Sequence, residues 1–254
     1  MNSGGSVLDL FRLDGRVVVI TGASSGLGVS FAQACAQAGA DVVVTARRAD
    51  RLKETVGLIE ATGRQGLAVP ADVSRDGDCL RIVQAAMERF GRLDVLVNNA
   101  GIEEHVPASR LEIDAFRRVI DVNLTACFAM AQAAAKVMVP GSSIINVASV
   151  LGLTTLDFPS TAYSASKAGV LGLTRSLARQ WTLRKGIRVN ALLPGFFPSE
   201  MTETVPVEYL QDRLVMGRLG RPEELAAALV FLASDAGGYV TGSEIVVDGG
   251  LTIT

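Results

Sequence analysis

Histidine is nearly absent from this 254-residue sequence, and His105 is the only one. That argues against a histidine-based zinc site and against a Ser-His-Asp triad. Cysteine is scarce as well. Cys35, Cys79 and Cys127 are odd in number, far apart and without metal-ligand spacing. They read as buried thiols in a reducing compartment. No cluster of Lys and Arg marks a nucleic-acid footprint, since the formal net charge is −2 with both signs mixed along the chain. The apolar run VVVI at 17–20 is too short to span a bilayer. The opening MNSGGSVLDLFRLDG has no basic start followed by an apolar run, so no secretory signal is expected. These absences point to a soluble cytoplasmic protein that acts on a small molecule, with no metal, nucleic-acid or membrane partner.

What the chain does have is apolar residues, 49% by count. That is enough for one large α/β domain or two small ones. Short β-branched runs alternate with longer Ala- and Leu-rich stretches. Strands are predicted at Val17–Ile20, Val42–Thr45, Leu67–Pro70, Val95–Asn98, Ser143–Val147, Arg188–Leu193 and Glu244–Val247. They show little apolar/polar alternation, as strands buried on both faces should. Helices are predicted at Gly28–Ala38, Arg48–Ala61, Asp76–Phe90, Glu112–Val139, Ala162–Arg184 and Pro222–Ser234. Gly39 stops the first, and Asp76 is a candidate cap for the third. A β-α-β-α order implies a parallel sheet with helices on both faces. No linker or low-complexity tract divides the chain, so residues 1–254 are expected to form one domain, with a loose polar tail over 1–12.

VVVITGASSGLG begins as a strand and turns into a helix, with Gly22, Gly26 and Gly28 at the turn. Glycine there lets the backbone approach a pyrophosphate, which a helix N-terminus stabilises. The competing reading is a bare turn, because the spacing is not the commoner Gly-x-Gly-x-x-Gly. Farther on, Tyr163 and Lys167 stand one helical turn apart. Alone they are a surface pair. Beside a dinucleotide loop they acquire a use. Reducing a ketone needs a hydride on carbon and a proton on oxygen, and a free tyrosine, with a pKa of about 10, is a poor proton donor and acceptor near neutrality. An adjacent ammonium favours the phenolate. Tyr163 is therefore the candidate acid/base, with Lys167 expected to lower its pKa. Ser149, just past the strand Ser143–Val147, is placed to hydrogen-bond the substrate oxygen.

TGASSGLG, Asn98-Asn99-Ala100-Gly101, Ser149, Tyr163-x-x-x-Lys167 and Pro194-Gly195 occur in the order seen in short-chain dehydrogenases/reductases, and the chain resembles that family from about Leu13 to about Gly250. The resemblance implies a Rossmann-type doubly wound α/β fold with a seven-stranded parallel sheet, a nicotinamide cofactor and a homotetramer. It implies dinucleotide contacts from Gly22, Ser24, Ser25, Gly26, Leu27 and Gly28, from Asp72 and Val73 at the adenine, and from Asn99, Ala100 and Gly101. Pro194, Gly195, Phe197 and Ser199 would border the nicotinamide, and Lys167 would bind the ribose hydroxyls. Asn123 matches an asparagine that kinks a helix and holds a water in a proton relay. A turn role for Asp72 and a local helix bond for Asn123 are the alternatives.

Where the family carries an acid for the ribose 2′-hydroxyl of NAD, this chain has Ala46, followed by Arg47 and Arg48. An arginine suits a 2′-phosphate, so NADP(H) is the expected cofactor, with NAD(H) the alternative. The segment from Ser149 to Tyr163 is one residue longer than usual in the family. Its apolar side chains, with others downstream, suggest a pocket for an apolar or aromatic ketone, or for a 3-oxoacyl thioester. The residues expected there are Leu151, Leu153, Phe158, Phe196, Phe197, Met201 and Met216, with 196–220 as a substrate lid. His105 is expected at the pocket rim. The chain resembles 3-oxoacyl-carrier-protein reductases in plan and gluconate-5-dehydrogenase-like members in PGFFPSEMT. The alternatives are a sugar-acid or polyol dehydrogenase, and a non-catalytic dinucleotide-binding scaffold.

Overall fold

The protein is described by a computed structural model covering residues 6–198, 200 and 213–254. Seven strands form one sheet: β1 (Val17–Thr21), β2 (Asp41–Ala46), β3 (Gly66–Pro70), β4 (Val95–Asn98), β5 (Ser143–Val147), β6 (Arg188–Pro194) and β7 (Glu244–Val247). All pairings are parallel, in the order β3-β2-β1-β4-β5-β6-β7. The predicted strands fall in place to within a residue at either end.

Alternation along each strand sends successive side chains to opposite faces. In β1, Val18 and Ile20 pack on one side with Phe31, Leu52, Leu225 and Leu229. Those residues come from α1 (Gly26–Gln37), α2 (Ala49–Glu60) and α7 (Pro222–Ala233). Val17 and Val19 pack on the other side with Ile82, Met130 and Leu177, from α3 (Asp76–Phe90), α5 (Ala126–Ala134) and α6 (Thr161–Lys185). Burial on both faces explains why the strands read as continuous apolar runs. The chain winds outward from β1 to β3, then returns to place β4 beside β1. That reversal opens a crevice beyond the carboxyl ends of β1 and β4, where ligands of such sheets bind.

Three local expectations are corrected. Residues 7–11 of the supposedly loose tail form a 3₁₀ turn. Ser6 Oγ accepts a hydrogen bond from Leu8 N, and the Asp9 carboxylate accepts one from Ser6 N. Asp76 is the first helical residue of α3, and Arg75 holds the cap position. The stretch Glu112–Val139 is not one helix. It comprises α4 (Ile113–Ile120), a π-helical turn (Asp121–Thr125) and α5, which ends at Ala134. The π turn contains Asn123, whose side chain bonds outside the helix, as described below.

Candidate active site

One cleft of about 930 Å³ opens at the crevice. The glycine loop forms its floor. Gly22 and Gly26 have φ of +68° and +54°, a conformation that only glycine adopts without cost. Gly28 has ordinary helical geometry, but a Cβ there would lie 2.4 Å from the Gly22 carbonyl oxygen and 2.8 Å from Asn99 Nδ2. The loop and the end of β4 are stitched together. Thr21 Oγ1 accepts hydrogen bonds from Asn99 N and Ala100 N, both at 3.0 Å. Asn99 Nδ2 donates to the Thr21 and Gly22 carbonyls. A backbone held this close, with the N-terminus of α1 and no side chains at three positions, is a cradle that fits a pyrophosphate.

At one end of the cleft stand Arg47, Arg48, Asp72 and Val73. The Arg48 guanidinium donates to Ser24 Oγ, Ser25 Oγ and the Glu200 carboxylate. Its charge at the loop is thus balanced by the Glu200 carboxylate. Asp72 Oδ1 accepts from Ser74 Oγ and Ser74 N. Those bonds, with a contribution from the Arg47 charge, hold its carboxyl below the usual range. Asp72 therefore fills the turn role and also lines the cleft.

Toward the other end, Ser149, Tyr163 and Lys167 converge. Ser149 follows β5, and its Oγ accepts from Leu151 N at 3.1 Å. Lys167 Nζ donates to the Val147 carbonyl at 2.8 Å and lies 5.4 Å from the centre of the Tyr163 ring. The net shift of Tyr163 runs opposite to the one expected from Lys167. Burial pushes the phenol up, the Ser149 hydroxyl opposes this, and the Glu103 charge adds to the rise. Burial also pulls Lys167 down to about 8, with the neighbouring Glu103 carboxylate acting against it. Both groups are desolvated, and desolvation disfavours phenolate and ammonium alike.

Asn123 sits just outside the cleft, 2% exposed. Its Oδ1 accepts from Ile102 N at 2.8 Å, and its Nδ2 donates to the Ile102 carbonyl at 2.9 Å and to Ser166 Oγ at 3.0 Å. It clamps the segment after Gly101 to the helix that carries Tyr163 and Lys167. Turning the side chain to these partners accompanies the π turn, a distortion frequent at functional sites.

The cleft lining includes Gly22, Ser24–Gly28, Asn99–Gly101, Pro194, Gly195 and Phe197, and on the outer side Leu151, Phe158 and Phe196. Ser199, Met201 and most of the segment expected as a lid lie outside the described residues. Leu153 and Met216 do not line the cleft and are 50% and 62% exposed. The 3₁₀ turn Val150–Gly152 buries Leu151 and leaves Leu153 facing solvent. The main residue that sequence reasoning missed is Glu103. It lines the cleft, its carboxylate contacts His105 Nε2, and burial pushes its pKa up. The available signal was position, because Glu103 stands two residues past the glycine that ends the β4 loop. His105 is at the rim, as expected. Its Nδ1 faces the Pro159 carbonyl at 3.2 Å, and its ring meets Phe158 edge-on at 5.7 Å. Among the described residues no group of His, Cys, Asp and Glu is arranged to hold a metal ion, and no helix is long and apolar enough to cross a membrane.

A glycine cradle at the switch point of a parallel sheet, with a serine, a tyrosine and a lysine converging at its far end, defines a dinucleotide-binding α/β protein. A family model described as enoyl-(acyl carrier protein) reductase matches residues 22–252. A 3-oxoacyl-[acyl-carrier-protein] reductase of Synechocystis sp. is 39% identical over 95% of this chain and 98% of its own. A short-chain type dehydrogenase/reductase from Mycobacterium marinum superposes with a TM-score of 0.95 at 38% identity, covering 98% of this chain and all of that one. A gluconate 5-dehydrogenase from Burkholderia cenocepacia J2315, solved in complex with NADP and tartrate, superposes with a TM-score of 0.90 at 33% identity, covering 98% and 100%. The chain belongs to the short-chain dehydrogenase/reductase family, whose members are oxidoreductases acting on CH–OH and C=O groups.

Proposed function

We propose that this protein transfers a hydride between NADP(H) and the carbon of a ketone or secondary alcohol, with Tyr163 as the acid/base. The observation that carries the reading is that Ser149, Tyr163 and Lys167 meet in the same cleft as the glycine cradle. Gly22, Ser24–Gly28 and the ends of β4 and β6 would hold the dinucleotide, which supplies the hydride when bound. The Ser149 hydroxyl hydrogen-bonds the substrate oxygen. In reduction Tyr163 gives its phenolic proton to that oxygen as negative charge develops, and in oxidation it takes the proton back. Lys167, fixed by the Val147 carbonyl, sets a positive charge beside the phenolate that each reduction leaves behind. Asn123 keeps the loop after Gly101 and the catalytic helix in register.

Preference for NADP(H) is supported by Ala46, which offers no carboxylate to repel a phosphate, and by Arg47, which lines the cleft beside it. Phe158, Phe196 and Leu151 supply an apolar wall suited to a ketone with an apolar part or to a 3-oxoacyl thioester. A polyol or sugar-derived substrate is the second reading, favoured by the polar Glu103 in the same cleft. The proposal includes the family's homotetramer and a cytoplasmic setting. The test is NADPH oxidation against a panel of ketones and 3-oxoacyl thioesters. Tyr163→Phe is expected to lower kcat at least 100-fold with NADPH affinity kept. Unchanged turnover would remove Tyr163 from the mechanism, and equal or better catalytic efficiency with NADH would remove the cofactor preference.

A further inference from the structure

Glu103 is an uncommon kind of residue for a cleft wall. Its side chain is 15% exposed, yet the partner fixed to it is His105 Nε2, on one carboxylate oxygen, Oε1. Among the described residues Oε2 accepts no hydrogen bond. That oxygen is not among the buried polar atoms left without a partner, so it is open to the cleft and free to meet a ligand. The geometry around it is built. Asn123 holds Ile102 by both its N–H and its C=O, so the backbone that carries Glu103 has one position. His105 is held in turn by Pro159 and by the edge of Phe158, which meets Phe196 at 6.5 Å. Glu103 shares the cleft with Ser149, Tyr163 and Lys167, and its charge is felt at both Tyr163 and Lys167.

We infer that Glu103 is a specificity-determining residue that accepts a hydrogen bond from a substrate hydroxyl next to the reacting carbon. This rests on the cleft being the hydride-transfer site. The substrate class it selects is an α-hydroxy ketone, or in the reverse direction a vicinal diol. Its reacting oxygen lies on Ser149 and Tyr163, its neighbouring hydroxyl on Glu103, and its apolar remainder against Phe158 and Phe196. A 3-oxoacyl thioester has a CH₂ where the hydroxyl would be and leaves the carboxylate oxygen unpaired. A substrate with a carboxylate at that position meets charge repulsion. Sites built to bond a hydroxyl reject the analogue that lacks it far more strongly than apolar pockets reject an extra group.

The test compares 1-hydroxypropan-2-one with butan-2-one, which differ by OH in place of CH₃, as substrates with NADPH. The wild-type protein is compared with Glu103→Met, which keeps the length of the side chain and removes the acceptor. The hydroxyketone is intrinsically more reactive, so the informative quantity is the ratio of the two kcat/KM values in wild type divided by that ratio in the variant. It is expected to be about tenfold or more. Binding is read separately from turnover, as the Kd ratio of propane-1,2-diol to butan-2-ol by NMR competition in the presence of NADP. The wild-type protein should favour the diol about tenfold. A quotient within twofold of one, or a wild-type Kd ratio near one, overturns the assignment and leaves Glu103 as a structural partner of His105. Failure of both ketones to turn over would count against the proposed reaction, while the Kd ratio would still decide the role of Glu103.

Discussion

Replacing Asn123 with alanine separates two roles for that residue. If it holds a loop, the cost is structural and can be worked from its bonds. Truncation removes the donor to the Ile102 carbonyl, the acceptor of the Ile102 N–H and the donor to Ser166 Oγ. Ser166 keeps its own bond to the Tyr163 carbonyl. Ile102 loses both of its fixed partners. Leaving a buried polar group unsatisfied costs ~1–3 kcal/mol, and Ile102 is only half-buried, so the lower end applies to each of its two groups. Alanine regains ~0.5 kcal/mol of helix propensity. The net loss is then about 1.5 kcal/mol, which for a chain of this length lowers Tm by roughly 3–6 °C. The assay is a thermal melt by circular dichroism, paired with amide hydrogen exchange over residues 101–104, where protection should fall. If Asn123 served only to hold a water in a proton relay, Asn123→Ala would lose turnover while Tm and exchange at 101–104 stayed at wild-type values. That result would refute the clamp.

Two further outcomes follow from the geometry. Gly28→Ala puts a methyl group 2.4 Å from the Gly22 carbonyl oxygen. Since backbone must shift to admit it, a net stability loss of about 1–3 kcal/mol is expected, with NADPH affinity weakened at least tenfold in a fluorescence titration, and wild-type affinity would contradict the cradle. Lys167 titrates at about 8 in the folded protein against 10.5 for the free side chain. Between those values the unfolded chain binds more protons, so this contribution to stability is present above 10.5 and is lost as pH falls through 8. The Tm of the wild-type protein relative to Lys167→Met should therefore rise across that window, and a flat difference would show that Lys167 is not desolvated as the fold implies.

The strands were legible because burial on both faces leaves a local mark, a β-branched run bounded by turn residues. The cofactor loop was legible for a similar reason, since its chemistry needs glycines at fixed separations within one turn. Tyr163 and Lys167 share a helix, so their spacing carries their relation. What could not be read is what depends on a second, distant segment. Asn123 and Ile102 are joined only after β4 and the α4–α5 unit come together. Sequence therefore shows an asparagine in a helical stretch and misses the π turn as a break in the predicted helix. Leu153 and Met216 are apolar, but apolarity does not say which way a turn faces, and both point away from the cleft. The sign of the Tyr163 shift failed for the same reason. Sequence shows the neighbouring lysine, whereas the desolvation that outweighs it arises from the packed helix and strand ends. Glu103 is the sharpest case. In IEEH it reads as one of two solvated acids before the only histidine. Its neighbour Glu104 also lines the cleft but is paired there with Arg118. Glu103 is instead turned inward by the Asn123 clamp on the preceding residue, toward Tyr163 and Lys167. The feature hardest to see in the sequence is therefore set by the residue whose role the sequence left open.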